Sequence, residues 1–201
     1  MTAQHSMITD EHGSPPSFVN LARAVMRGID VDPASSAIAN RNVRATRFID
    51  AKQDFRVTPW FEGAPAPNRL RTNPARAPSS HTKGRTFGNP PSDKRGVLVA
   101  RFWWLFVEYF ELGWITSGIY VGFNVEQLSR LQRVGARSHP LEHVTLIPRK
   151  REDYIDLETG ELQEDAPHAS FVTLLSRSSR EIETFAALGS ELGHVVNGDR
   201  R

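Results

Sequence analysis

Residues 97–123 read VLVARFWWLFVEYFELGWITSGIYVGF and form the most apolar stretch of the chain. At about 100° per residue, Arg101, Glu108 and Glu111 fall within about 80° of one another, beside Val97 and Trp104. Residues 97–112 therefore predict a helix that is buried except along one narrow wet stripe. Gly113 stops it, and 114–123, carrying Gly118 and Gly122, reads as a strand or a tight turn into one. The run is long enough to cross a bilayer. Three charges costing roughly 2.5–3.5 kcal/mol each near a membrane centre argue against a spanning helix.

Downstream, Asn124 and Gln127 make a capping-box-like start for a helix over 124–134 that turns Val125, Leu128 and Leu131 inward. Strands are expected at 143–147, 154–157 and 169–175, the middle one turning at 158–161. Ser178 and Glu181 repeat the capping signature, opening a last helix with Ile182, Phe185, Ala186, Gly189, Leu192 and Val196 on one face. Residues 96–201 thus predict an α+β domain of helices and a small antiparallel sheet.

Upstream the pattern is weaker. Phe18, Leu21, Ala22 and Val25 recur at helical spacing behind Pro15 and Pro16, and Gly28 ends that helix. Residues 35–54 fit either a helix capped by Ser36 or a strand; as a helix they would carry Arg41, Arg44 and Arg47 in one stripe. Residues 58–95 hold seven prolines in 38 positions, and seven Lys and Arg against two Asp and Glu, with only Trp60, Phe61, Leu70 and Phe87 as large apolar side chains. Such a segment cannot bury enough surface for a core of its own. The expected organisation is therefore an N-terminal segment, 1–57, with one or two short helices, an extended basic arm or linker at 58–95, and the domain at 96–201.

Charge follows the same division. Residues 1–95 contain 14 basic and 8 acidic side chains, a net of +6, whereas 96–201 contain 11 and 15, a net of −4. Of the 25 basic residues, 21 are Arg, which suits planar contacts with phosphate or carboxylate groups. The absence of cysteine excludes disulfides, thiolate metal sites, iron–sulfur clusters and thiol nucleophiles. The first 17 residues contain His5, Asp10, Glu11 and His12 and no apolar run, unlike a secretory signal, so a cytoplasmic or other intracellular setting is expected.

Nucleotide-binding and nucleophile-elbow signatures are lacking. The seven carboxylates at 152–165 read as a solvated hairpin, and Pro140 between His139 and His143 spoils a helical metal pair, so no metal or other cofactor is expected. Two short motifs stand out: His143-Val144-Thr145-Leu146 and His168-Ala169-Ser170-Phe171, each at the start of an expected strand. They resemble the H-x-[ST]-φ motifs of two-histidine phosphoesterases. The resemblance implies His143 and His168 as acid and base, with Thr145 and Ser170 holding phosphate oxygens, although it covers only eight residues. The helix at 124–134 and the turn after it also resemble the start of a helix-turn-helix, with Arg130, Arg133 and Arg137 towards a phosphate backbone.

Composition favours a third, non-catalytic reading. In it, the basic arm of an assembly factor or accessory subunit binds nucleic acid or a protein assembly through Arg69, Arg71, Arg76, Lys83 and Arg85, aided by Arg41, Arg44 and Arg47. DNA-binding regulation and phosphoesterase chemistry stand as its alternatives.

Overall fold

The apolar run divides into a helix, Val97–Glu111, and a strand, Ile115–Gly122, in a computed structural model that describes residues 12–79, 84–91, 96–133, 138–163 and 169–198. In chain order the elements are β1 (His12–Gly13), α1 (Pro16–Met26), β2 (Val31–Asp32), α2 (Ala39–Val43), β3 (Arg47–Phe48), β4 (Gly84–Gly88), α3 (Val97–Glu111), β5 (Ile115–Gly122), α4 (Glu126–Arg133), β6 (Val144–Pro148), β7 (Tyr154–Asp156), β8 (Leu162–Gln163), β9 (Phe171–Ser176), α5 (Ser179–Leu192) and β10 (Gly193–Val196). Single 3-10 turns occupy Pro67–Arg69 and Pro140–Glu142.

Seven strands make one mixed sheet, ordered β10-β6-β9-β5-β4-β2-β3, and β1-β7-β8 make a small second one. The half from β10 to β5 is antiparallel, but its edge strand β10 takes residues 193–196, read from the sequence as the end of the last helix, and the expected strand at 154–157 pairs in the small sheet instead. The other half, β5-β4-β2-β3, is parallel, and it corrects the reading of one small antiparallel sheet. Two of its strands have only two residues each, too short for an alternation of apolar and polar positions to appear.

Residues on β5 and β9 alternate between two cores. Tyr120, Phe171 and Leu175 face α3, while Ile119, Val121, Val172 and Leu174 face α1 and α5. The α3 side of β4 and β5 is paved with glycine. A Cβ on Gly88 would sit 2.6 Å from the Phe102 ring and one on Gly118 would sit 2.7 Å from Phe106, so the aromatic rings of α3 rest directly on strand backbone. Both rings are fully buried.

The segment expected as a free arm instead covers the outer side of α3. Trp60, Phe61, Ala64 and Leu70 join the α3 core beside Phe55 just upstream, and β4 lies inside the sheet between β2 and β5. Few apolar anchors suffice because the partner helix is apolar nearly all round. Proline removes donors from the segment, but its carbonyls remain strong acceptors. The Tyr109 hydroxyl donates to Pro65 O at 2.7 Å, Arg101 to Pro67 O at 3.3 Å and the Trp114 indole to Ala75 O at 2.7 Å. From the β3 side, Arg47 donates to Pro59 O at 3.0 Å and Trp60 O at 3.1 Å. The expected boundary at residue 96 therefore runs between two adjacent strands of one sheet. Glu108 is also buried, which leaves Val97, Arg101, Trp104 and Glu111 as the exposed or half-exposed stripe of α3.

Candidate functional site

All four parallel strands deliver their carboxyl ends to one edge of the molecule. There β2 runs into residues 33–36, β3 into 49–51, β4 into 89–91 and β5 into Phe123, and these segments enclose a cleft of about 240 Å³. Tyr154 and Leu157, from the small sheet, close one side, and Phe55 and Leu98 close another. The connections make this edge special. The β2–β3 connection carries α2, whose Val43 packs on the α1 side, while the β4–β5 connection carries α3 on the opposite face. Neighbouring strands β2 and β4 thus send their chains to opposite faces, leaving a gap at their carboxyl ends, where ligands of open α/β sheets bind.

The walls are mainly apolar and stiff, with Pro33, Pro90 and Pro91 on either side of the gap and the Phe123 ring edge-on to Tyr154 at 5.6 Å. Tyr154 donates or accepts a 2.8 Å hydrogen bond with Ser170 Oγ, and burial pushes its phenol up to about 12. Polar groups at the rim are already engaged. Asp50 Oδ1 accepts from the Lys52 and Gln53 amides at 2.9 Å, holding the turn in which Asp54 takes φ 58°. The Asp54 carboxylate is paired with Arg56 at 2.7 Å, and hydrogen bonding to that guanidinium keeps its pKa below the usual range. Asn89 Nδ2 donates to Ser14 Oγ at 3.2 Å, and Ser36 Oγ accepts from Ala39 N at 3.1 Å, capping the first turn of α2.

Beneath this loop lies Asp32, at 3% exposure the one buried carboxylate at the strand ends among the described residues. Its Oδ1 accepts from Ala34 N at 3.2 Å, which fixes the course of residues 33–36. Desolvation raises its pKa from the ordinary 3.8 to about 7, against the opposing pull of the Ala34 amide and the nearby Ser35 hydroxyl. Ser35 Oγ itself is buried on the cleft wall with no well-aligned hydrogen-bond partner.

No protein-family model, curated protein or solved structure matches the chain. The function therefore rests on the geometry of this molecule alone.

The residues singled out in the sequence are dispersed. His143 Nε2 lies 2.8 Å from Ser138 Oγ, which also donates to Glu142 Oε2 at 2.9 Å, and its ring meets Trp103 edge-on at 6.1 Å. Since that hydroxyl has one proton and gives it to Glu142, it accepts from His143 and is not being activated by it. Thr145 Oγ1 is fully buried, donating to Pro140 O at 2.7 Å and meeting Thr173 Oγ1 at 2.9 Å, while Ser170 is bonded to Tyr154 instead. His168 and Lys83 lie outside the described residues. After α4 the next described elements are the single turn Pro140–Glu142 and then β6, so among the described residues no second helix follows it directly; Arg137 lies outside them.

Arg41 and Arg44 are exposed, but the helix ends at Val43 with Arg44 at φ 52°, and Arg47 belongs to β3. The expected three-arginine stripe is accordingly not formed. Arg85 binds both oxygens of Asp30, at 2.6 and 2.9 Å, and donates to Arg27 O at 2.9 Å, clamping β4 to the end of α1. Arg69, Arg71 and Arg76 are exposed on the docked segment. Among the described residues no helix is long and apolar enough to cross a membrane, and no three His, Asp or Glu side chains cluster as a metal site.

Sequence reasoning missed the cleft because its walls come from four loops separated by up to about a hundred residues. The only local signals were Asp32-Pro33 and Asn89-Pro90-Pro91, strand ends followed by punctuation.

Proposed function

We propose that this protein is a non-catalytic binding module whose ligand is a small molecule with an apolar body, held in the cleft at the carboxyl ends of the parallel strands. The observation that carries the reading is the position of the cleft, at the divergence of β2 and β4, where side chains and backbone groups converge from four independent loops. Chemistry on the walls favours binding over catalysis. Among the described residues the cleft has no His or Lys on its walls, and its rim carboxylates are held by amides or by Arg56. An anionic ligand is disfavoured by the Asp50 carboxylate on the rim, whereas a neutral one meets mainly apolar walls.

The neutral fluorophore N-phenylnaphthylamine tests the site. Its emission should rise on binding the protein, and Ala51→Trp, at an exposed position on the cleft mouth, should weaken binding at least tenfold while leaving the melting temperature unchanged. Equal binding by the two proteins would remove the cleft as the ligand site.

A further inference from the structure

The exposed stripe of α3 carries an arrangement that neither the fold nor the cleft explains. The guanidinium of Arg101 lies 4.6 Å from the centre of the Trp104 ring, and that of Arg71 lies 4.8 Å from the same centre. Arg71 is placed there by the docked segment, whose Leu70 is buried in the α3 core one residue earlier. Three other arginines have carboxylate partners: Arg56 with Asp54, Arg85 with Asp30 and Arg177 with Glu111. Arg71 and Arg101 have none among the described residues. Two cations on one half-buried ring repel each other, and Arg101 is held below its ordinary basicity first by burial and then by Arg71. An anion would relieve both penalties.

Stacking supplies the means to hold one. A guanidinium resting its face on an indole keeps its N–H edge free, and that planar fork matches phosphate oxygens. Arg101 spends one amino group on Pro67 O, while Arg71 makes no hydrogen bond of its own among the described residues. The surroundings extend the same charge. Arg69 and Arg76 are exposed on the same segment, and residues 63–79 contain no Asp or Glu. Ala77 N donates to Leu112 O at 2.9 Å, so the segment follows α3 from Trp104 to Leu112, about 12 Å at 1.5 Å per residue. That span matches on the order of three successive phosphates of a strand.

We propose that Arg71 and Arg101, stacked on Trp104 and flanked by Arg69 and Arg76, form a phosphate-binding ledge for the backbone of a nucleic-acid strand, read without regard to base sequence. The ledge differs from a free basic arm: its arginines are fixed on a folded surface, so no ordering of the segment accompanies binding.

A labelled single-stranded oligonucleotide, titrated by anisotropy at several salt concentrations against the full chain, tests this. Wild type should bind at low salt with a log–log salt slope that Arg71→Ala flattens by about one and Arg71→Ala/Arg76→Ala by about two. Arg71→Lys should keep the slope but lose affinity several-fold, because the charge stays and the stacked fork does not. Arg71 is exposed, and circular dichroism should show these variants folded. Trp60, Trp103 and Trp114 are buried, so the intrinsic fluorescence change on binding should disappear in Trp104→Phe. Absence of binding at low salt, or equal slopes in wild type and folded Arg71→Ala, would overturn the proposal. Binding of inorganic phosphate with the same arginine dependence, but none of the oligonucleotide, would overturn it as well by assigning the ledge to a free anion.

Discussion

Asp32 concentrates the tension at the cleft. A carboxyl whose pKa rises from 3.8 to about 7 on folding stays protonated in the native chain where the unfolded chain has already lost its proton. Its contribution to stability is therefore neutral below about pH 4, falls as pH rises towards 7, and is constant above that. Asp32→Asn keeps an oxygen for the Ala34 amide and removes the titration. Chemical denaturation across this range should show the variant gaining on wild type from pH 4 to 7, by up to about 4 kcal/mol for a three-unit shift. A difference independent of pH would mean that Asp32 is ionised in the native state. The glycine paving makes a second demand at this scale. A Cβ on Gly122 would lie 2.1 Å from the Phe171 ring, so Gly122→Ala should cost about 1–3 kcal/mol in a denaturant melt, and Phe106→Ala, which empties the same layer, about 3–5 kcal/mol.

Elements rich in local signal were legible and those built by partnership were not. Helix α5 announced itself through Ser178, whose side chain does accept from Glu181 N, and α3 through its apolar density. Residues 58–79 read as an arm because composition reports only what a segment can bury by itself. What docks it is the unusual appetite of α3, whose outer face needs apolar cover and whose Tyr109 and Arg101, with Trp114 beyond its end, need acceptors that proline-rich backbone supplies. In the cleft, Tyr154 and Asn89 carried at most a strand or a strand-end signal and nothing that joined them, since their shared role arises only when β7 and β4 arrive at the same edge. Trp60 is fully buried against Phe102 and Tyr109, with ring centres 5.1 and 4.9 Å apart. Trp60→Ala should therefore cost about 3–5 kcal/mol and make Arg69, Arg71 and Arg76 susceptible to trypsin, whereas wild type resists cleavage there. Rapid cutting of folded wild type at these sites would restore the free arm.

At the scale of the molecule, the two halves of the chain share one sheet and one core. A fragment of residues 96–201 would expose β5 along the edge that β4 occupies and uncover the aromatic outer face of α3. It should give the poorly dispersed amide spectrum of a non-native chain, and the intact protein should unfold in one cooperative step. The same pairing of β2 with β4 creates the cleft on which the functional reading stands. Amide chemical-shift mapping of the full chain during titration with N-phenylnaphthylamine examines that reading most directly. The largest shifts should fall together on Ala34, Ser35, Asn89 and Leu157, four residues joined only at the carboxyl edge of the parallel strands. Shifts confined to the surface around His143 and Arg177, with those four unmoved, would contradict it.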